Sequence, residues 1–74
     1  MADVLDATGL RCPIPVLRAR KRLKTMAPGD RLEVLTDDPV SPIDMRHFCA
    51  TEGHNIVEAH EADAPYRFVI AKAG

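Results

Sequence analysis

Apolar residues along this 74-residue chain fall into short blocks whose period changes from one block to the next. Val4-Leu5-Asp6-Ala7 is a brief strand-like run closed by the turn residues Thr8-Gly9. From Pro13 onward, Val16, Ala19, Leu23 and Met26 recur at helical spacing, with Leu17 beside them. Pro28-Gly29-Asp30 ends that helix. Residues 31–36 alternate polar and apolar positions and predict a half-buried strand. After the turn at Asp37-Asp38-Pro39, Ser41 is placed to cap a second helix, with Pro42 at its first position. That helix runs to about Glu52, carries Met45, Phe48 and Cys49 on one stripe, and meets a left-handed cap at Gly53.

Two further alternating runs complete the chain. In residues 54–61, Ile56, Glu58 and His60 oppose Asn55, Val57 and Ala59. In residues 66–72, Tyr66, Phe68 and Ile70 oppose Arg67, Val69 and Ala71, and Asp63-Ala64-Pro65 joins the two as a hairpin. The order βαβαββ makes the first two strands parallel, through a right-handed crossover, and the last two antiparallel. It predicts a two-layer α/β (α+β) sandwich: a mixed four-stranded sheet with both helices on one face, one domain over residues 1–74. No linker, repeat or low-complexity segment interrupts it.

Composition sharpens this picture in three places. The net charge is only −1, which disfavours a chain coated by nucleic acid, yet the charge is uneven. Arg11, Arg18, Arg20, Lys21, Arg22 and Lys24 lie within residues 11–24 without an acid, whereas nine acids crowd residues 25–63 against Arg31 and Arg46. Such a split suits docking to an acidic partner surface, although a solvated amphipathic face is the commoner fate of a charge run. Two cysteines, Cys12 and Cys49, are too few for a disulfide scaffold. The N-terminus lacks the features of a signal peptide, and no apolar run approaches the roughly 20 residues of a membrane span. The expectation is a cytoplasmic protein in a reducing compartment.

Candidate chemistry then concentrates at Cys12. It stands at or next to the start of the first helix, where Pro13 and Pro15 fit because the first-turn N–H groups have no helical acceptor. The positive helix end and the adjacent Arg11 favour thiolate, so a pKa below the reference of about 8.5 is expected. Free cysteine is also commonly a small buried hydrophobe, and spacing alone leaves both readings open. Cys49, on the apolar stripe of the second helix, reads as core.

The blocks Leu5-Asp6-Ala7, Gly9-Leu10-Arg11-Cys12-Pro13-x-Pro15-Val16, Pro28-Gly29, Asp37-Asp38-Pro39, Asp44, Phe48-Cys49 and Pro65-Tyr66-Arg67-Phe68-x-Ile70 together resemble the TusA/SirA-like sulfur carriers. The resemblance spans nearly the whole chain. It implies that Cys12 takes sulfane sulfur from a cysteine desulfurase or a rhodanese, holds it as a persulfide, and passes it to an acceptor thiol on a downstream relay protein. In part of the family that relay ends at 2-thiouridine in the tRNA wobble position, and in sulfur-oxidising relatives it serves a dissimilatory route. It implies no cofactor; a monomer with neither a membrane nor a nucleic-acid partner is the accompanying expectation. Arg11, Pro13, Pro15, Arg20 and Asp38 are the residues it assigns to supporting the thiolate or meeting the partner. One departure concerns the partner: members tied to tRNA thiolation tend to carry a polar residue between the two prolines, and here it is Ile14.

Other classes are weaker. His54 and His60 share a strand about 20 Å apart along their six-residue separation, too far for one metal ion. A non-catalytic RNA-binding or protein-binding module could use the basic helix, but Phe48, Tyr66 and Phe68 are the only aromatics and two belong to an inward pattern. A redox sensor would need a resolving cysteine that the pattern does not supply.

Overall fold

The computed structural model describes residues 2–73. Its elements are β1 (Ala2–Asp6), α1 (Ile14–Lys24), β2 (Arg31–Thr36), α2 (Ser41–Glu52), β3 (Asn55–His60) and β4 (Tyr66–Ala71). The sheet order is β1-β2-β4-β3, with β1 and β2 parallel and both remaining pairs antiparallel. The mixed four-stranded sheet and its two helices are those that the βαβαββ order predicts.

Alternation explains which side of the sheet is buried. Leu32 and Val34 from β2, Phe68 and Ile70 from β4, and Leu5 from β1 meet Ala19 and Leu23 of α1 and Met45, Phe48 and Cys49 of α2. Nearly all of these are aliphatic or sulfur-bearing, and each large side chain withdrawn from water contributes roughly 1.5–3 kcal/mol. The opposite sheet face carries charge. Arg67 Nη2 lies 2.7 Å from Glu33 Oε1 and 3.9 Å from Glu58 Oε2. Val69, registered between Glu33 and Glu58, is thereby reduced to 5% exposure on a face that alternation alone assigns to solvent.

Three local expectations are corrected. Helix α2 begins one residue early: Val40 is its N-cap, Ser41 its first residue, and the Ser41 hydroxyl is buried without a partner instead of capping. Asp38 supplies the reason, because its Oδ1 accepts the Val40 N–H at 3.0 Å and its carbonyl accepts the Ser41 N–H at 2.9 Å. The uniform alternation expected along β3 is broken by a register shift between Ile56 and Glu58, so Ile56 faces Ile70 while Glu58 faces Val69 on the other side. In α1, Leu17 is 53% exposed and the fully buried positions are Pro15, Ala19 and Leu23, while Val16 and, beyond the helix end, Met26 pack half-buried against the core. The Gly53 cap is as expected, left-handed at φ 79° with its N–H on the Cys49 carbonyl.

The β1–β2 pairing decides where chemistry can sit. Two adjacent parallel strands deliver both following loops, and the start of both helices, to one edge of the sheet.

Candidate functional site

The loop after β1 is tied to β2 and the loop that follows it by three hydrogen bonds. Ala7 N–H donates to the Leu35 carbonyl at 2.7 Å, Gly9 N–H to Asp37 Oδ1 at 2.9 Å, and Cys12 N–H to Asp38 Oδ2 at 2.6 Å. Gly9 adopts φ 83°, a conformation that a side chain would resist, and this turns its N–H toward Asp37. The two acids of the Asp37-Asp38 turn are therefore anchors for the loop that presents Cys12. Asp38 holds both the Cys12 and the Val40 N–H groups, and these bonds, with the charge of Arg11, keep its carboxyl below the usual carboxylate range.

Cys12 precedes Pro13, the N-cap of α1, and its side chain is exposed. Its Sγ donates to Oδ2 of Asp44, in the first turn of α2. The expected lowering of its pKa is overturned. The hydrogen bond to Asp44 comes first among the causes that raise it, followed by partial desolvation and the negative charges of Asp44 and Asp38. A carboxylate accepting from the thiol proton stabilises the protonated form and opposes a second negative charge beside it. The charge of Arg11 is felt at Asp38, one step removed from the sulfur.

From Cys12 a groove of about 320 Å³ runs between the helices. Pro13, Val16, Leu17 and Arg20 line it from α1 and the residue before it; Asp44, His47, Phe48, Thr51 and Glu52 line it from α2. The structure thus brings Cys12, Pro13 and Arg20 to one groove, with Arg20 at the far end, its Nε 3.9 Å from Glu52 Oε1. Pro15, by contrast, is buried beneath the helix start. Arg11 belongs with Asp37 and Asp38 to a second, separate hollow formed by the two loops. Ile14 is 42% exposed beside the thiol.

Asp44 is the residue that sequence reasoning does not assign to the site. It is one of the family-like positions, but it lies 32 residues from Cys12, and nothing in the local pattern pairs them.

Cys49 is 2% exposed, and burial pushes its thiol up from 9.0 to about 11. Among the described residues no cluster of three metal-ligating side chains occurs. His54 Nδ1 accepts the Ala73 N–H at 3.0 Å, which ties down the end of β4. Phe48 and Phe68 are buried and Tyr66 is half-buried, so the two phenylalanines offer no face for base stacking. No helix among the described residues is long and apolar enough to cross a membrane.

The small βαβαββ sandwich thus presents Cys12 at the shared edge of its two parallel strands. The family model described as sulfurtransferase TusA matches residues 3–72, and the chain belongs to that family. It is also similar to the crystal structure of a SirA-like protein from Desulfitobacterium hafniense. The identity is 33%, the TM-score is 0.79, and the match covers 100% of this chain and 99% of the other. Family membership supports a role in sulfur transfer.

Proposed function

We propose that Cys12 is the persulfide-bearing residue of a sulfur carrier. It accepts sulfane sulfur from a cysteine desulfurase or a rhodanese and relays it to the thiol of an acceptor protein. The observation that supports this best is the contrast between an exposed Cys12, held by Asp38 at the mouth of a groove, and a Cys49 sealed in the core. Sulfur exchange proceeds by thiolate attack through a shared-sulfur intermediate, and a nearby resolving thiol would discharge the persulfide as a disulfide. Burial keeps Cys49 from doing so. Arg20, Leu17 and His47 along the groove, and Pro13 and Ile14 beside the sulfur, form the face on which a partner's sulfur-bearing loop docks; Asp38, with the charge of Arg11 near it, fixes the loop that presents it. The carrier works in a reducing, cytoplasmic compartment, where a free thiol persists.

The test is sulfur loading. After incubation with a cysteine desulfurase and cysteine, the intact mass rises by one sulfur, about 32 Da, in the wild type and in Cys49→Ala but not in Cys12→Ser. A wild-type protein that gains no sulfur from either class of donor refutes the carrier reading.

Within this reading the first assignment of the pathway is tRNA wobble 2-thiouridine synthesis. The apolar, 42%-exposed Ile14 favours a second, a carrier in dissimilatory sulfur metabolism, because it gives the partner an apolar contact where thiolation-linked relatives tend to offer a polar one. Nucleoside analysis of a deletion strain separates them: wobble 2-thiouridine disappears under the first and persists under the second.

A further inference from the structure

We infer that Asp44 is the proton-handling catalytic residue of sulfur transfer at Cys12, taking the proton of the attacking thiol and returning it to the departing one both when the carrier loads and when it discharges. The inference rests on the carrier reading of Cys12.

Its ground is the position of the carboxylate. Asp44 Oδ2 is the acceptor of the Cys12 S–H, so it touches the atom that reacts. Among the described residues its side chain accepts no other hydrogen bond and forms no ion pair, so its oxygens are not committed to holding the fold. Every other charged or titratable group about the sulfur lacks one of these properties. Asp38 has both oxygens engaged by the N–H groups of Cys12 and Val40. Arg11 and Arg20 cannot accept a proton. His47 lines the groove but makes no hydrogen bond with the sulfur.

The chemistry balances without an external oxidant or reductant. In loading, the donor presents a persulfide, R–S–S–H. The Cys12 proton moves to Asp44 Oδ2 as Sγ attacks the outer sulfur. A new S–S bond forms to Sγ, the old one breaks, and its electron pair leaves with the inner sulfur of the donor. That departing thiolate takes up the proton from Asp44, which returns to the carboxylate. In discharge, the acceptor thiol gives its proton to Asp44 and attacks the outer sulfur of the Cys12 persulfide. Sγ now leaves with the bonding pair and recovers the proton from Asp44. One carboxylate serves both directions because the two half-reactions are the same exchange with the roles of the sulfurs reversed. The arrangement also explains a resting thiol that is protonated yet accessible: the proton is held on the path along which it must leave.

Asp44→Asn, Asp44→Glu and the wild type distinguish this from a structural role through two readouts. The first is the rate of Cys12 alkylation by iodoacetamide against pH, which needs no sulfur donor. The second is the rate of persulfide loading from a cysteine desulfurase and of discharge to a small thiol. Removing the charge makes the thiol more acidic, so the Asp44→Asn alkylation profile moves to lower pH and its rate at neutral pH rises. Loading and discharge fall by about tenfold or more, because general acid–base assistance is lost. Asp44→Glu regains most of the transfer rate. Opposite changes in alkylation and transfer are not produced by a loosened fold. Transfer at the wild-type rate in Asp44→Asn, or an alkylation profile that does not move, overturns the inference while leaving the carrier reading intact. Failure of the wild type itself to load sinks the carrier reading, and this inference with it.

Discussion

The two cysteines of this chain share a chemistry and a direction of pKa shift, and differ in its cause. At Cys49 the thiol is raised to about 11 by burial among Met45, Phe48 and the sheet, and nothing short of unfolding changes that environment. At Cys12 the thiol is exposed and is raised first by one hydrogen-bonded carboxylate. A shift due to burial silences a sulfur, whereas a shift due to a single neighbour can be reversed when the proton has somewhere to go. An upward shift is therefore no sign of inertness.

The largest effect expected from this contrast is in alkylation of the native protein. Iodoacetamide should modify Cys12 and spare Cys49 by a rate ratio of more than about a thousand, since Cys49 is reached only through opening against most of the folding free energy. Peptide mapping after partial labelling measures the ratio; comparable labelling of both sites would break the comparison. Next comes stability. Cys49→Ser places a hydroxyl without a partner in the core and should cost about 1–3 kcal/mol by urea denaturation. Cys12→Ser should leave the urea midpoint where it is, since its side chain packs against nothing in the core.

Alkaline pH sharpens the comparison further. With a folded-state pKa of about 11 against an ordinary 9.0, Cys49 keeps its proton in the folded protein after the unfolded chain has lost it. The unfolded state then binds fewer protons, so this contribution to stability is complete below about pH 9 and is lost as pH rises toward 11. Thermal melts across that range should fall less steeply in Cys49→Ala than in the wild type. The smallest effect concerns the anchors. Asp38→Asn weakens the bonds to Cys12 and Val40 and lowers the melting temperature modestly. It also removes a negative charge near the sulfur, which moves the Cys12 alkylation profile slightly toward lower pH, and less than Asp44→Asn does. A larger shift in Asp38→Asn than in Asp44→Asn would reverse the ranking of the two acids.

At Thr36 and Ser41 the fold carries buried hydroxyls without partners among the described residues. Thr36→Val should be neutral or mildly stabilising in the same urea assay, because an apolar group of similar shape removes a desolvation penalty.

Much of this was legible along the chain because it depends on neighbours in sequence. Strand alternation, the helical spacing of Ala19 and Leu23, the breaker run at Pro28-Gly29-Asp30 and the Gly53 cap are local physics, and βαβαββ order then restricts the sheet to few arrangements. The placement of Cys12 beside a helix start and of Cys49 in the core follow from the same periodicities. What the chain could not show is the company that the thiol keeps. Arg11 is its sequence neighbour and invites a lowered pKa, but hydrogen bonding acts over a few ångströms of space. The parallel β1–β2 pair carries Asp38 and the start of α2 to the loop of Cys12 from 26 and more residues away. The same holds for the bulge that reverses Glu58 and for the Asp38 bonds that displace Ser41 from its cap. Sequence alone determined that this chain builds a two-layer sandwich with one cysteine at a helix start. Tertiary structure decided that this cysteine faces a carboxylate, because only folding sets the distance between a sulfur and an acid 32 residues apart.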